Sequence, residues 1–326
     1  MNDDYLWDGS GTPDADVVRL EQTLAAHRFD PARHPLRLTP RRRHRLTRYA
    51  LAAALLLAVG GGIAGYHWRL DWRDGRPWPI VAGAAGAAQE ALTVGTPWMT
   101  GSADATVAIA RIGRLRVGAN SQLQLQHTSS TQHLLRLLHG DVSLRVFAPP
   151  GRVQVQTPAG TVTDLGCAFD LQVDERGVAL VQVRSGWVEL ENARGTALVP
   201  AGAASRMQFD RAPAVPVFDD ADTRFRAAVR TIEDDGAIGD AADLTRARRR
   251  DVITLLMLAR RLAGADRARV IQQAARLSPP PRDVDVDAAA VASGDDQALW
   301  RWHDALPLPP PKQWWRNWRD AWPLAP

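Results

Sequence analysis

The chain has almost no lysine and only one cysteine. Of its 40 basic residues only Lys312 is lysine; the others are arginine. The lone thiol, Cys167, cannot close an internal disulfide, and a zinc cage of paired cysteines is excluded by count. Stability must therefore come from packing. None of the eight histidines pairs with another at the HExxH spacing. The sequence has no GxSxG elbow, no Walker loop and no GxGxxG opening a helix after a strand. Gly60-Gly61-Gly62 lies inside an oily run where no phosphate would sit. In LGCAF, Cys167 reads as a small core residue next to Phe169 rather than as a reactive thiol. Glu189 and Glu191 share the wet face of a strand. These absences point away from an enzyme: no catalytic, cofactor-binding or metal-binding residue is expected.

The formal charge of +4 invites a nucleic-acid reading. Such a face would gather its basic residues into one stripe with aromatic residues between them, and this chain has no such stripe. Arginine in place of lysine, with abundant Ala, Gly and Pro, fits a coding bias instead. No nucleic-acid partner is expected.

The first positive feature is RRRHRLTRYALAAALLLAVGGGIAGYHW, residues 41–68. From Tyr49 to Tyr66 no residue carries a charge. A helix continuing to Trp68 rises about 30 Å, the thickness of a bilayer's hydrocarbon core. Tyr49 at one end and Tyr66 and Trp68 at the other suit the interfacial belts. Arg41, Arg42, Arg43, Arg45 and Arg48 crowd the N-terminal flank, and Arg69, Arg73 and Arg76 follow the far end. That bias favours the N-terminus in the cytosol and the C-terminus outside. Two rivals stand beside it. One is a cleaved secretory signal, whose nearest cleavage stretch is Ile63-Ala64-Gly65, without a clean A-x-A; the other is a buried core helix. Gly61 and Gly65 form a small-xxx-small pair through which two spans would pack as a homodimer.

The rest of the chain divides around this span. Residues 1–48 form a polar head. After Pro13 and Asp14, Val17, Leu20 and Leu24 fall at the i, i+3, i+7 positions of one helical stripe. Tyr5, Leu6 and Trp7 precede it. A segment this short cannot bury that apolar bulk by itself. It is either a tail with a nascent helix or an amphipathic helix that docks on a cytosolic partner. Residues 49–68 are the transmembrane helix, and 69–88 read as a membrane-proximal linker. In 89–211 the period changes to two: Val142, Leu144 and Val146; Val153 and Val155; Phe169, Leu171 and Val173; Ala179, Val181 and Val183; Val188 and Leu190. Gly or Pro-Gly punctuates these runs, which indicates an antiparallel roll or sandwich of short strands. Residues 212–326 read as helical, and the stretch LTRARRRDVITLLMLARRL is expected to form a helix with one apolar face of Val252, Leu255, Leu256, Leu258 and Ala259. The expected fold class is a mainly β domain with one transmembrane helix and a helical C-terminal region.

Gly140 to Val146, Val153 to Gly160 and Val162 to Val173 follow a pattern: G-x-V-x-F/L-x-V, then F-x-V-x-T-x-x-G, then V-x-x-x-G-T-x-F-x-V. VALVQVRSGWVEL and ALVPAGAASRM continue it. This block resembles the signature of the FecR family, single-pass anti-sigma regulators of bacterial inner membranes. Two departures stand out: Cys167 occupies a position where the family usually has Thr, and the cytosolic head is short. The resemblance implies a periplasmic β domain that receives a signal, in well-known members from an outer-membrane receptor, and a head that controls an extracytoplasmic-function sigma factor. Tyr5, Leu6, Trp7, Val17, Leu20 and Leu24 become the expected sigma-factor contacts. A reading from another class is an envelope scaffold, in which the β domain binds a cell-wall or outer-membrane component and the head only anchors it.

Six of the 12 tryptophans lie between Trp300 and Trp322. Trp314, Trp318 and Trp322 repeat every four residues, on one side of a helix. They would pack on their own domain, rest on the membrane surface, or anchor a protein partner.

Overall fold

The computed structural model describes residues 9–30, 44–83, 90–239, 243–282 and 296–308, with backbone alone at 44–48. The chain divides into two units, residues 1–61 and 62–326.

In the first unit, helix α1 (Ala15–Leu24) begins where Asp14 accepts the amide of Asp16 at 3.4 Å. A 3-10 turn, Ala25–His27, follows it. No residue of α1 is buried. Helix α2 (His44–Leu70) carries the oily run, and its residues 62–70 belong to the second unit. Its stretch Tyr49–Leu70 is the one helix among the described residues long and apolar enough to cross a membrane, and it stays exposed from Tyr49 to Gly65, with only Tyr66, Arg69 and Leu70 partly covered.

The second unit is mainly β. One antiparallel sheet contains β1 (Trp78–Ala82), β4 (Ala105–Ile109), β5 (Gly113–Val117), the C-terminal half of β7 (His133–Val146), β10 (Ala168–Val173), β11 (Ala179–Ser185), β14 (Ala203–Met207) and β15 (Val217–Phe218). The other contains β3 (Pro97–Met99), β6 (Gln122–Thr128), the N-terminal half of β7, β8 (Val153–Thr157), β9 (Gly160–Asp164), β12 (Trp187–Asn192) and β13 (Gly195–Pro200). The short β2 (Ala91–Leu92) pairs with β1.

Strand β7 thus serves both sheets and changes between them at Gly140. Its φ of 104° lies in the region that favours glycine, and a Cβ there would overlap Ser121. Ser121 fills that space itself: its hydroxyl accepts the amide of Asp141 at 3.0 Å. Register puts like faces opposite one another. Leu144 lies between Leu115 and Phe169, and Leu171 lies between Val142 and Val181, all buried. The apolar members of each alternating strand therefore meet in one core, as period two requires.

Among the described residues four helices follow the sheets: α3 (Thr223–Asp235), α4 (Val252–Ala259), α5 (Gly264–Leu277) and α6 (Asp296–Asp304). Asp222 caps α3 by accepting the amides of Arg224 and Phe225. The structure corrects the one-sided helix expected around residues 244–262. Two 3-10 turns occupy its start, and all eight residues of α4 are buried, Thr254 included. It is a central helix, packed on every side. Thr254 donates its hydroxyl to the carbonyl of Pro216 at 2.7 Å, which ties the helices to the sheet. Arg248 bridges Asp220 and Asp251, and Arg250 lies 4.0 Å from the Phe218 ring.

Candidate functional site

Two places in the described chain carry features that folding alone does not use. The first is the apolar stripe of α1. Leu20 is 59% exposed and Leu24 57%, with Val17 half-buried beside them. A helix of ten residues is too short to be stable in water by itself and needs packing on its apolar face. Tyr5, Leu6 and Trp7 lie outside the described residues.

The second is the joint between α2 and the β domain. The segment 69–88, expected as a linker, holds the end of α2, a turn and strand β1 instead. Arg111 sits in the tight turn between β4 and β5. It reaches back to the helix end, donating from one guanidinium nitrogen to the carbonyls of Trp68 at 2.8 Å and Asp71 at 3.0 Å. Its guanidinium also stacks 4.1 Å from the Trp68 ring. The last carbonyls of a helix lack intrahelical donors and carry the negative end of its dipole, so a cation there satisfies both needs. Arg69 lies over the Phe147 ring at 4.7 Å, adding a second cross-contact.

Beyond the helix the chain is fastened again. Trp72 is buried, donates its indole N–H to the carbonyl of Arg76 at 3.0 Å and lies under the Arg76 guanidinium. The amide of Gly75 donates to the carbonyl of Thr128 at 3.0 Å. Trp78, fully buried, donates its indole N–H to the Thr128 hydroxyl at 3.0 Å. That hydroxyl is 2.7 Å from Nδ1 of His133. Burial, then the nearby Arg152 and His127, pull the His133 pKa down to about 4, so the ring is neutral at neutral pH. Residues 67–78 are therefore bonded to the turn at Arg111 and to Thr128 of β6, and the Trp78 ring lies edge-on to His133 of β7 at 5.7 Å. None of these partners is close in sequence, so no local pattern announces them.

The remaining expected site residues fall as follows. Tyr49 is exposed, and Tyr66 is half-buried with its ring 5.7 Å from that of His67. Gly61 and Gly65 are exposed, and an added Cβ at either would meet nothing. Trp314, Trp318 and Trp322 lie outside the described residues. Two other tail tryptophans pack on the domain: Trp302 is buried, and Trp300 lies under Arg260 at 4.3 Å. Cys167 is wholly buried, its amide and thiol both directed at Oδ1 of Asp164. No group of His, Cys, Asp and Glu that could hold a metal ion occurs among the described residues.

Residues 98–189 match the family described as FecR protein, so the body of the β domain is a FecR domain. No curated protein matches the chain. Two solved structures of a proposed anti-sigma factor from Parabacteroides distasonis are similar to it, at 14% and 15% identity with TM-scores of 0.32 and 0.33. Each alignment covers 41% of this chain and 63% of the solved one, so the chain spans less than two thirds of either.

Proposed function

We propose that this FecR-domain chain is a single-pass regulator of the anti-sigma type, with residues 1–48 in the cytosol and the β domain in the periplasm of a bacterial inner membrane. A periplasmic event, such as contact with an outer-membrane receptor, is relayed through α2 to the head, which releases or escorts an extracytoplasmic-function sigma factor. The observation that carries this reading is the uncovered stripe of Val17, Leu20 and Leu24 on a capped helix too short to persist unpartnered. The FecR match supplies the class of partner. The arginine cluster before the span supports the orientation.

A lone span has no second helix to rearrange against. It can transmit only a change of tilt, of position along its axis, of association or of susceptibility to cleavage. The fastened joint suits the first two, because a shift of the β domain reaches Trp68 through Arg111 rather than dissipating in a loose tether. A signal moves such an equilibrium by its difference in affinity for the two states, usually about 1–3 kcal/mol.

The test is co-purification of the full chain with a co-expressed sigma factor of this class. The parent is expected to retain it, and Leu20→Asp with Leu24→Asp to lose it while the protein stays in the membrane. If the double variant retains the sigma factor as well as the parent, or the parent never binds one, the head is only an anchor and the scaffold reading takes over. A phosphatase fused after Pro326 should be active, since that enzyme works only outside the cytosol.

A further inference from the structure

A cleft of about 480 Å³ opens between the sheet edge at β14 and β15 and helix α3. Its size lies within the usual range for small-molecule sites, roughly 300–1,000 Å³. Ala204, Ala214, Val217 and Val229 give it apolar walls. Its carboxylates are already engaged. Asp234 pairs with Arg211 at 2.7 Å, and Glu233 pairs with Arg261 at 2.5 Å while accepting the amide of Val215. Asp219 accepts the side-chain amide of Gln182 at 2.8 Å.

Three arginines on the same cleft remain. Arg206 on β14 and Arg226 and Arg230 on α3 are exposed, line the cleft and form no ion pair among the described residues. Arg226 and Arg230 are four apart, so they stand on one face of the helix and repel each other. A concave site with apolar walls and three guanidiniums in its lining that form no ion pair is matched to a ligand with a greasy body and one anionic head. The planar guanidinium suits a carboxylate, sulfonate or phosphate, each with paired oxygens.

We propose that this cleft binds one small amphiphilic anion, its head on Arg226, Arg230 and Arg206 and its body on Val217 and Val229. The site is separate from the head and from the joint, and it does not depend on the sigma-factor reading. Because its walls belong both to the sheet and to α3, an occupant fastens the helical region to the β domain.

The experiment is calorimetric titration of the full chain, held in phosphatidylcholine nanodiscs, with 1-naphthalenesulfonate; empty nanodiscs serve as the blank. One saturable site per chain is expected. Arg226→Ala with Arg230→Ala should weaken it by at least about tenfold, and Arg206→Gln, on a different element, should weaken it too. 1-Naphthol has the same body without the charge and should bind at least about tenfold more weakly. Exposed arginine-to-alanine changes on a helix leave folding intact, and unchanged thermal unfolding will verify this. No saturable heat above the blank overturns the proposal, as does equal binding of naphthol or parental affinity in both variants.

Discussion

Arg111 and Trp68 lie 43 positions apart, yet the arginine donates to the tryptophan's carbonyl at 2.8 Å and stacks on its ring. A turn of the β domain thereby caps the last turn of the apolar helix. This contact, more than any strand pairing, decides whether motion of the domain is motion of the helix.

Replacing Arg111 by Ala should leave the fold intact and cost about 1 kcal/mol, since it removes one helix-end contact and one stack from a half-buried side chain. The effect should be local. Amides at residues 67–76 are expected to exchange faster with solvent, whereas those of β7 and β10 keep their protection. Arg111→Lys should behave as an intermediate, because an ammonium can still donate to both carbonyls but has no planar face to lay on the Trp68 ring. Hydrogen exchange on the full chain in nanodiscs reads this directly, and unchanged exchange at 67–76 would sink the idea that Arg111 fastens the joint.

Gly140→Ala is expected to cost about 3 kcal/mol in denaturant unfolding of the full chain. The glycine holds a φ of 104°, and the added methyl would overlap Ser121 at the point where β7 passes from one sheet to the other. Gly151→Ala is the control. Its φ is 80°, but nothing stands within 4 Å of the new methyl, so only about 1 kcal/mol of backbone strain is expected.

What could be read in the sequence and what could not follow from where the signal resides. The strands at 153–157, 168–173 and 179–185 are visible because period two is local, and inward residues such as Leu171 and Val181 declare themselves. Strand β1 hides because Pro79 and the neighbouring Pro, Gly and Trp residues look like loop, although Trp78 is fully buried. The burial of α4 on all sides is hidden too. The sequence shows an apolar helix, but only the fold supplies Pro216 as the partner of Thr254. The stripe on α1 was legible at once, being simple spacing. The joint was not, because Arg111 and Thr128 reach residues 67–78 across some 40 to 60 positions of chain.

Cys167→Ser should be nearly neutral. The thiol and amide of Cys167 both face Oδ1 of the buried Asp164, the amide at 2.7 Å, and a serine hydroxyl can donate to the same oxygen. Asp164→Ala, in contrast, leaves the buried amide of Cys167 without its acceptor and is expected to cost about 2–3 kcal/mol. Parallel unfolding curves check both, and a serine variant as damaged as Asp164→Ala would show that the thiol has a task of its own.

Acid should weaken the β domain through His133. Folded, the buried ring takes up its proton only near pH 4; unfolded, it does so near pH 6.5. Between those values the unfolded chain binds more protons, so stability falls as pH drops, by up to about 1.4 kcal/mol per pH unit for this one group. The loss is absent above pH 6.5 and complete below about pH 4, where it totals on the order of 3 kcal/mol. His133→Asn keeps an acceptor for the Thr128 hydroxyl but cannot titrate. It should start less stable at pH 7.5, because a smaller side chain fills the site, and then lose distinctly less than the parent on acidification to pH 4.5. Unfolding midpoints of parent and variant across that range decide it: parallel slopes would mean that His133 is not the group that responds.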